Sequence, residues 1–368
     1  MQVSFKKKSL TEGVFLPLVL TLAMGAIFFI NPLNAKDLAT PLKIHEWGTM
    51  TSRHRSSGEA LGGLNNTAHQ DVLPAFVHIL NNSGLQTFGK GNDVIGHSDV
   101  TMRLETPVVY FYPDRDFDKS KKINFKASFS GGLLNEFYPK ALIWNENIIS
   151  QGGSHLNARS RSSLEWKDIE LGGDWPIPQT DMPVWLAPRQ VKAAKVRVGS
   201  EAEHYLFYRG VAHIPALLAT QHSKPENYLK ISTPAENTLH SQKLIIPNAW
   251  YISIQPDKTL AFKNLGALIL NKSNHLLGEM KYQFPQNRYT PAGKAKLREE
   301  IHEALVRDGL FDDEAWAMLN TWDSSYFEQS GERILFIAPK AWMDHYLPLE
   351  VSVPSQITRV FVGRIDLE

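Results

Sequence analysis

Ser253–Asn271 reads SIQPDKTLAFKNLGALILN. Short apolar runs, LAFKN at 260–264 and ALILN at 267–271, are separated by Pro, Asp, Asn and Gly. Turn residues between short alternating runs are the texture of an antiparallel sandwich meander. A parallel sheet would space its strands with helices instead.

The same texture extends in both directions. PVVYFY (Pro107–Tyr112) and INFKASF (Ile123–Phe129) flank the charged segment PDRDFDKSKK, which predicts a hairpin between them. ALIWNENII (141–149), LEWKDIEL (164–171), HYLFYR (204–209), KLIIP (243–247) and WYISIQ (250–255) read as further strands, and RILFIAP (333–339) and RVFVGRIDL (359–367) close the chain. One region departs from this. TPAGKAKLREEIHEALVRDG (290–309) places Thr290 as a cap, Pro291 at the first helical position and Gly309 as a stop. Leu297, Ile301, Ala304 and Leu305 form its apolar stripe. A second helix follows, capped by Asp312, with Ala315, Met318, Leu319 and Trp322 on one face. The expected fold is therefore mainly β (α+β): antiparallel sandwich-like sheets with an αα-hairpin (290–322) packed on them. A β-rich domain over 36–240 and a sandwich-like segment over 241–368 are the expected divisions.

The leader sets the location. FKKKSLTEG is a basic n-region, VFLPLVLTLAMGAIFFI an apolar core, and NPLNA ends on the small residue Ala35. Residues 1–35 read as a signal peptide or an N-terminal anchor, with 13–35 long enough to span the inner membrane. Either way 36–368 is expected outside the cytoplasm, in the periplasm or secreted. The 368 residues hold 39 basic and 38 acidic side chains. The leader takes three lysines and one glutamate, so the exported part is near −1. Such a balance gives no electrostatic reason to expect nucleic acid, and a membrane is expected only through an uncleaved leader. Absence of cysteine excludes disulfides, thiolate metal sites and a lipid-modified Cys.

HEWGTMT (45–51), LETPVVYFYP (104–113), GGLLNEFYP (131–139) and YLFYRG (205–210) resemble, in that order, stretches of a family of bacterial exported proteins with no assigned activity. LFDDEAWAMLNTW (310–322), YFEQSGERILFIAP (326–339) and VGRIDL (362–367) extend the resemblance. Met50 stands where that family commonly has Phe. The following segment, GGLNNTAHQDVLPAFVH (62–78), is poorer in acids than its counterparts. The resemblance implies location and architecture, not a reaction.

Three chemistries are open to these residues. His45, Glu46, His54, His69, Asp71 and His78 are metal-ligand types, with Glu46 alternatively a base. Neighbours on a strand point to opposite faces, however, and no H-E-x-x-H spacing is present. If Glu46 faces inward it needs a cation, and Arg103, Arg209 and Arg364, set in apolar strands, are the expected partners. Trp175, Trp185, Tyr138 and Trp144 suggest stacking on a glycan. Glu105 and Glu136 would suit a glycosidase if about 5–9.5 Å apart. No G-x-S-x-G or P-loop is present. The expected role is a ligand- or glycan-binding envelope protein, with an envelope glycan or protein as partner. The alternative is an exported hydrolase, with or without a metal.

Overall fold

A computed structural model describes residues 41–66, 73–80, 96–150, 153–235, 243–271 and 273–368. The leader, His69 and Asp71 lie outside these residues. Leu42–His54 is a strand buried along nearly its whole length, on both faces. It pairs antiparallel with Met102–Pro113 and parallel with the last strand, Gln356–Leu367. These three form the middle of a nine-stranded sheet. Its order is Leu260–Leu270, Leu244–Ile254, Gly331–Ile337, Gln356–Leu367, Leu42–His54, Met102–Pro113, Leu206–Ala212, Gly132–Tyr138, His78–Ile79.

Both faces of this sheet are covered, which is why its central strands lack a polar side. On one face Ile44, Met50 and Phe111 meet Phe125, Phe129, Leu164 and Trp166 of a second, six-stranded sheet. On the other, Trp47, Tyr110, Phe207 and Trp250 meet Leu297 and Ile301 of the helix Ala292–Arg307. Ala315, Met318 and Leu319 of the helix Asp312–Thr321 join them. The molecule is mainly β, a sheet-on-sheet sandwich with the C-terminal helix pair as a third layer. Among the described residues no helix is long and apolar enough to cross a membrane.

Four expectations change. The hairpin between 107–112 and 123–129 does not form, because Met102–Pro113 lies in the main sheet and Ile123–Ser130 in the second. Phe111 and Phe125 meet ring edge to ring face across the layers, 6.1 Å apart. The four runs between 243 and 271 fuse into two long strands, Leu244–Ile254 and Leu260–Leu270, which absorb their turn residues as register shifts. Gly266 takes the left-handed conformation at one of these, φ +67°. The two expected divisions share one sheet, which takes strands from both, and Thr40–Glu368 is a single unit. Both helix starts move by one residue. Thr290 bridges to Leu260, so the cap falls on Pro291, and the second cap is Phe311, whose N–H donates to Glu314 Oε2 at 2.7 Å.

The end of the first strand carries a pH dependence. His54 is buried, with Nδ1 3.0 Å from Thr220 Oγ1 and Nε2 3.3 Å from Ser52 Oγ. Burial, with a smaller effect from His222, pushes its imidazole down from 6.5 to about 4. The unfolded chain therefore binds a proton that the folded chain refuses. Stability is complete above pH 6.5 and is lost as pH falls towards 4, by about 3 kcal/mol from this group. Urea unfolding followed across that window should show the decline, and His54→Gln should flatten it.

Candidate functional site

The first strand sends His45 and Glu46 into different layers. His45 Nδ1 lies 2.7 Å from Glu314 Oε2 on the helix side, its ring against Phe311 and Tyr112. Glu314 also accepts from Tyr112 Oη at 2.9 Å. Glu46 faces the second sheet, where it accepts from Arg359 Nε at 2.6 Å and from the Tyr208 hydroxyl. Arg359 NH1 donates onward to Asp344 Oδ1 at 2.9 Å. The cation beside Glu46 is thus Arg359, not Arg103, Arg209 or Arg364. The reason is the parallel pairing of first and last strands, which sets Glu46 directly opposite Arg359.

Other candidates are also absorbed by structure. His78 Nε2 is 2.9 Å from Glu201 Oε1, and its ring stacks on Phe137. Among the described residues no group of three His, Asp or Glu side chains is placed to hold a metal. Tyr138 and Trp185 are buried in the helix-side core. Trp185 Nε1 donates to Glu203 at 2.9 Å. Trp175 lies under the Arg197 guanidinium, 4.7 Å from its ring centre. Tyr138 and Trp185 offer no open ring face to a sugar, and half-buried Trp175 has one face covered by Arg197. Trp144, 52% exposed on the strand Leu142–Glu146, is the exception among the aromatics considered.

The three displaced arginines gather elsewhere. On the helix-side face, a charged row crosses six neighbouring strands. Arg333 stands opposite Asp366, Arg364 opposite Thr51, Thr51 opposite Arg103, Thr49 opposite Glu105, and Arg209 opposite Glu136. Four guanidiniums (Arg103, Arg209, Arg333, Arg364) with Glu105 and Asp366 form the floor of a cleft of about 930 Å3. One wall is Thr321–Glu332, the end of the helical segment and the start of the next strand; the rim carries Arg53 and Glu368.

The floor is unevenly satisfied. Arg364 is fully engaged, with Nε 2.9 Å and NH2 2.8 Å from the two oxygens of Asp366 and NH2 2.9 Å from Gln329 Oε1. Arg333 donates to the carbonyls of Ser325 and Gln329, but its Nε stays 3.6 Å from Asp366. Arg103 Nε sits 3.0 Å from Glu105 Oε1 without directing its N–H there, while Glu105 accepts from Thr51 Oγ1 at 2.7 Å. Arg209 approaches Glu136 no closer than 3.8 Å. The Nε atoms of Arg103, Arg209 and Arg333 and the indole nitrogen of Trp322 are buried without an acceptor.

Crowding of like charge shows in the proton affinities. Burial lowers Arg103; Glu105 opposes this, and Arg364 adds to the lowering. Arg333 is pushed down to about 9 by burial and then by Arg364, which leaves it charged at neutral pH. Burial would raise Asp366, but Arg364 and Arg333 outweigh it and hold the carboxyl below its ordinary range.

Sequence reasoning named Arg103, Arg209, Arg364, Glu105 and Glu136 separately and missed Arg333, Asp366 and the wall. The signal was present: Arg364 and Asp366 are two apart in VGRIDL, on one face of a strand, and Arg333 opens an apolar run. No protein-family model matches the chain, and a search of curated proteins finds no match. The reading of function therefore rests on this geometry.

Proposed function

We propose that the chain is an exported binding protein whose cleft takes up an anionic ligand. One observation carries this: four guanidiniums crowd the buried floor of the cleft, and the Nε–H groups of Arg103, Arg209 and Arg333 are directed at no acceptor. A guanidinium buried without a full counter-charge is costly, and an incoming anion relieves it. Arginine's planar fork suits carboxylate or phosphate. Asp366 is held below the ordinary carboxylate range by its arginines, which suits a fixed counter-ion rather than a proton donor. Export, carried by the leader of residues 1–35, belongs to the same proposal.

Calorimetry and thermal melts with acetate, phosphate and sulfate test it. Saturable binding is expected, weakening with added chloride, with about 2.7 kcal/mol of stabilisation at about 100 times Kd. Arg209→Gln should weaken binding about tenfold or more, equivalent to about 1.4 kcal/mol. If no anion binds and no melting point moves, the cleft is structural only.

A further inference from the structure

We infer that two copies of this chain pair through the strand Leu142–Glu146, antiparallel about Ile143. The contact lies away from the cleft, on the second sheet. Leu142–Glu146 lines one side of Arg161–Leu171, whose other side is taken by Ile123–Ser130. Among the described residues no strand pairs with its outer side. The backbone N–H and C=O groups there form a template for a further strand. Three large apolar side chains follow one another along it, Leu142 56%, Ile143 39% and Trp144 52% exposed.

The other edges of the two large sheets are protected. His78–Ile79 has two residues, and Glu201–Glu203 and Leu349–Val351 have three each. Leu260–Leu270 is long, but register shifts break its ladder and Lys263 stands exposed on it. Leu142–Glu146 has no lysine, proline or bulge to blunt it.

Charge and register select a second copy as the occupant. Leu142, Trp144 and Glu146 share one face of the strand, opposite Glu165, Ser163 and Arg161 of its neighbour. Lys140 stands two residues before Leu142, at the spacing that keeps to that face, and Glu201 Oε2 accepts from its backbone N–H at 2.6 Å. Lys140 and Glu146 are both exposed. A two-fold axis through Ile143 sets Leu142 against Trp144 of the second copy and Lys140 against its Glu146, each pairing occurring twice. A register two residues away sets Lys140 against Trp144, or Leu142 against Glu146, so one alignment satisfies charge and apolar contact together. Five residues of edge bury less than a standard interface, so the dimer should be weak, with Kd on the order of 10 µM.

Sedimentation velocity of the purified protein from about 1 to about 100 µM tests this. A monomer–dimer equilibrium is expected, and Ile143→Lys should raise Kd at least about tenfold. Lys140→Glu sets two acids face to face and should weaken the dimer, as should Glu146→Lys. The double exchange Lys140→Glu, Glu146→Lys should restore it. All three positions are exposed, so circular dichroism and melting points in dilute solution should not change. A protein that stays monomeric throughout overturns the pairing and leaves the edge to a foreign strand. Equal association of the parent and Ile143→Lys overturns it, and so does a double exchange no tighter than either single change. Growth beyond the dimer also overturns it, because a two-fold contact closes on itself.

Discussion

Alanine in place of Glu46 should lower the unfolding free energy by about 3–5 kcal/mol, the cost of leaving a buried charge without its partner. Glu46 is wholly buried, and the Arg359 side chain is nearly so. Removing the carboxylate takes the 2.6 Å acceptor from Arg359 Nε and the acceptor of the Tyr208 hydroxyl together. Asp344 still holds Arg359 NH1 at 2.9 Å, but it sits at the half-exposed edge and cannot follow the guanidinium inward. Two variants separate charge from shape. Glu46→Gln keeps an acceptor for Tyr208 and should fall between alanine and the parent. Glu46→Leu combined with Arg359→Met removes both charges, and should recover most of the loss, since apolar substitutes of similar volume replace a buried pair well. Urea unfolding measures all three. A parental midpoint for Glu46→Ala would mean that the pair contributes nothing and that Arg359 relaxes to solvent.

The identity of that partner shows what one-dimensional reading reaches. Alternation and turn residues depend on neighbours along the chain, so the β character, the helix stripes at Leu297–Leu305 and the inward need of Glu46 were legible. Pairing is a property of strands far apart in sequence. Glu46 and Arg359 are 313 residues apart and meet through a parallel ladder that no local turn announces. The cleft was unreadable for the same reason. Its lining draws on five strands whose spatial order is not their chain order. Long central strands misled in another way. Met102–Pro113 is covered on both sides, so its apolar run matched a hairpin arm as well as a core strand. Tyr138 and Trp185 looked like sugar platforms because residue type alone does not distinguish a lid from a core.

Glu203→Ala should be as damaging as the loss of Glu46, again about 3–5 kcal/mol, and it tests the aromatic side of the molecule. Glu203 is fully buried and has four donors around it. Arg189 contributes Nε at 3.0 Å and NH2 at 2.6 Å, Trp185 its indole nitrogen at 2.9 Å, and His204 its backbone N–H at 2.9 Å. Arg189 also donates to Pro178 O at 2.8 Å, so one carboxylate pins the Pro-rich segment 172–190 to Glu201–Glu203, the edge strand of the second sheet. Without it a nearly buried guanidinium and an indole N–H lose their acceptor in a core packed by Phe76, Tyr138 and Phe207. Loosening should appear locally before global unfolding, as faster proteolysis within 172–190 and a red shift of tryptophan emission. Glu203→Gln, which keeps one oxygen for Trp185 but no charge for Arg189, should show a smaller form of both. A platform role for Trp185 predicts the opposite pattern. Glycan affinity would then change while the melting point held, because the ring would be working at the surface and Glu203 only orienting it. The 2% exposure of Trp185 sets the expectation: stability moves first.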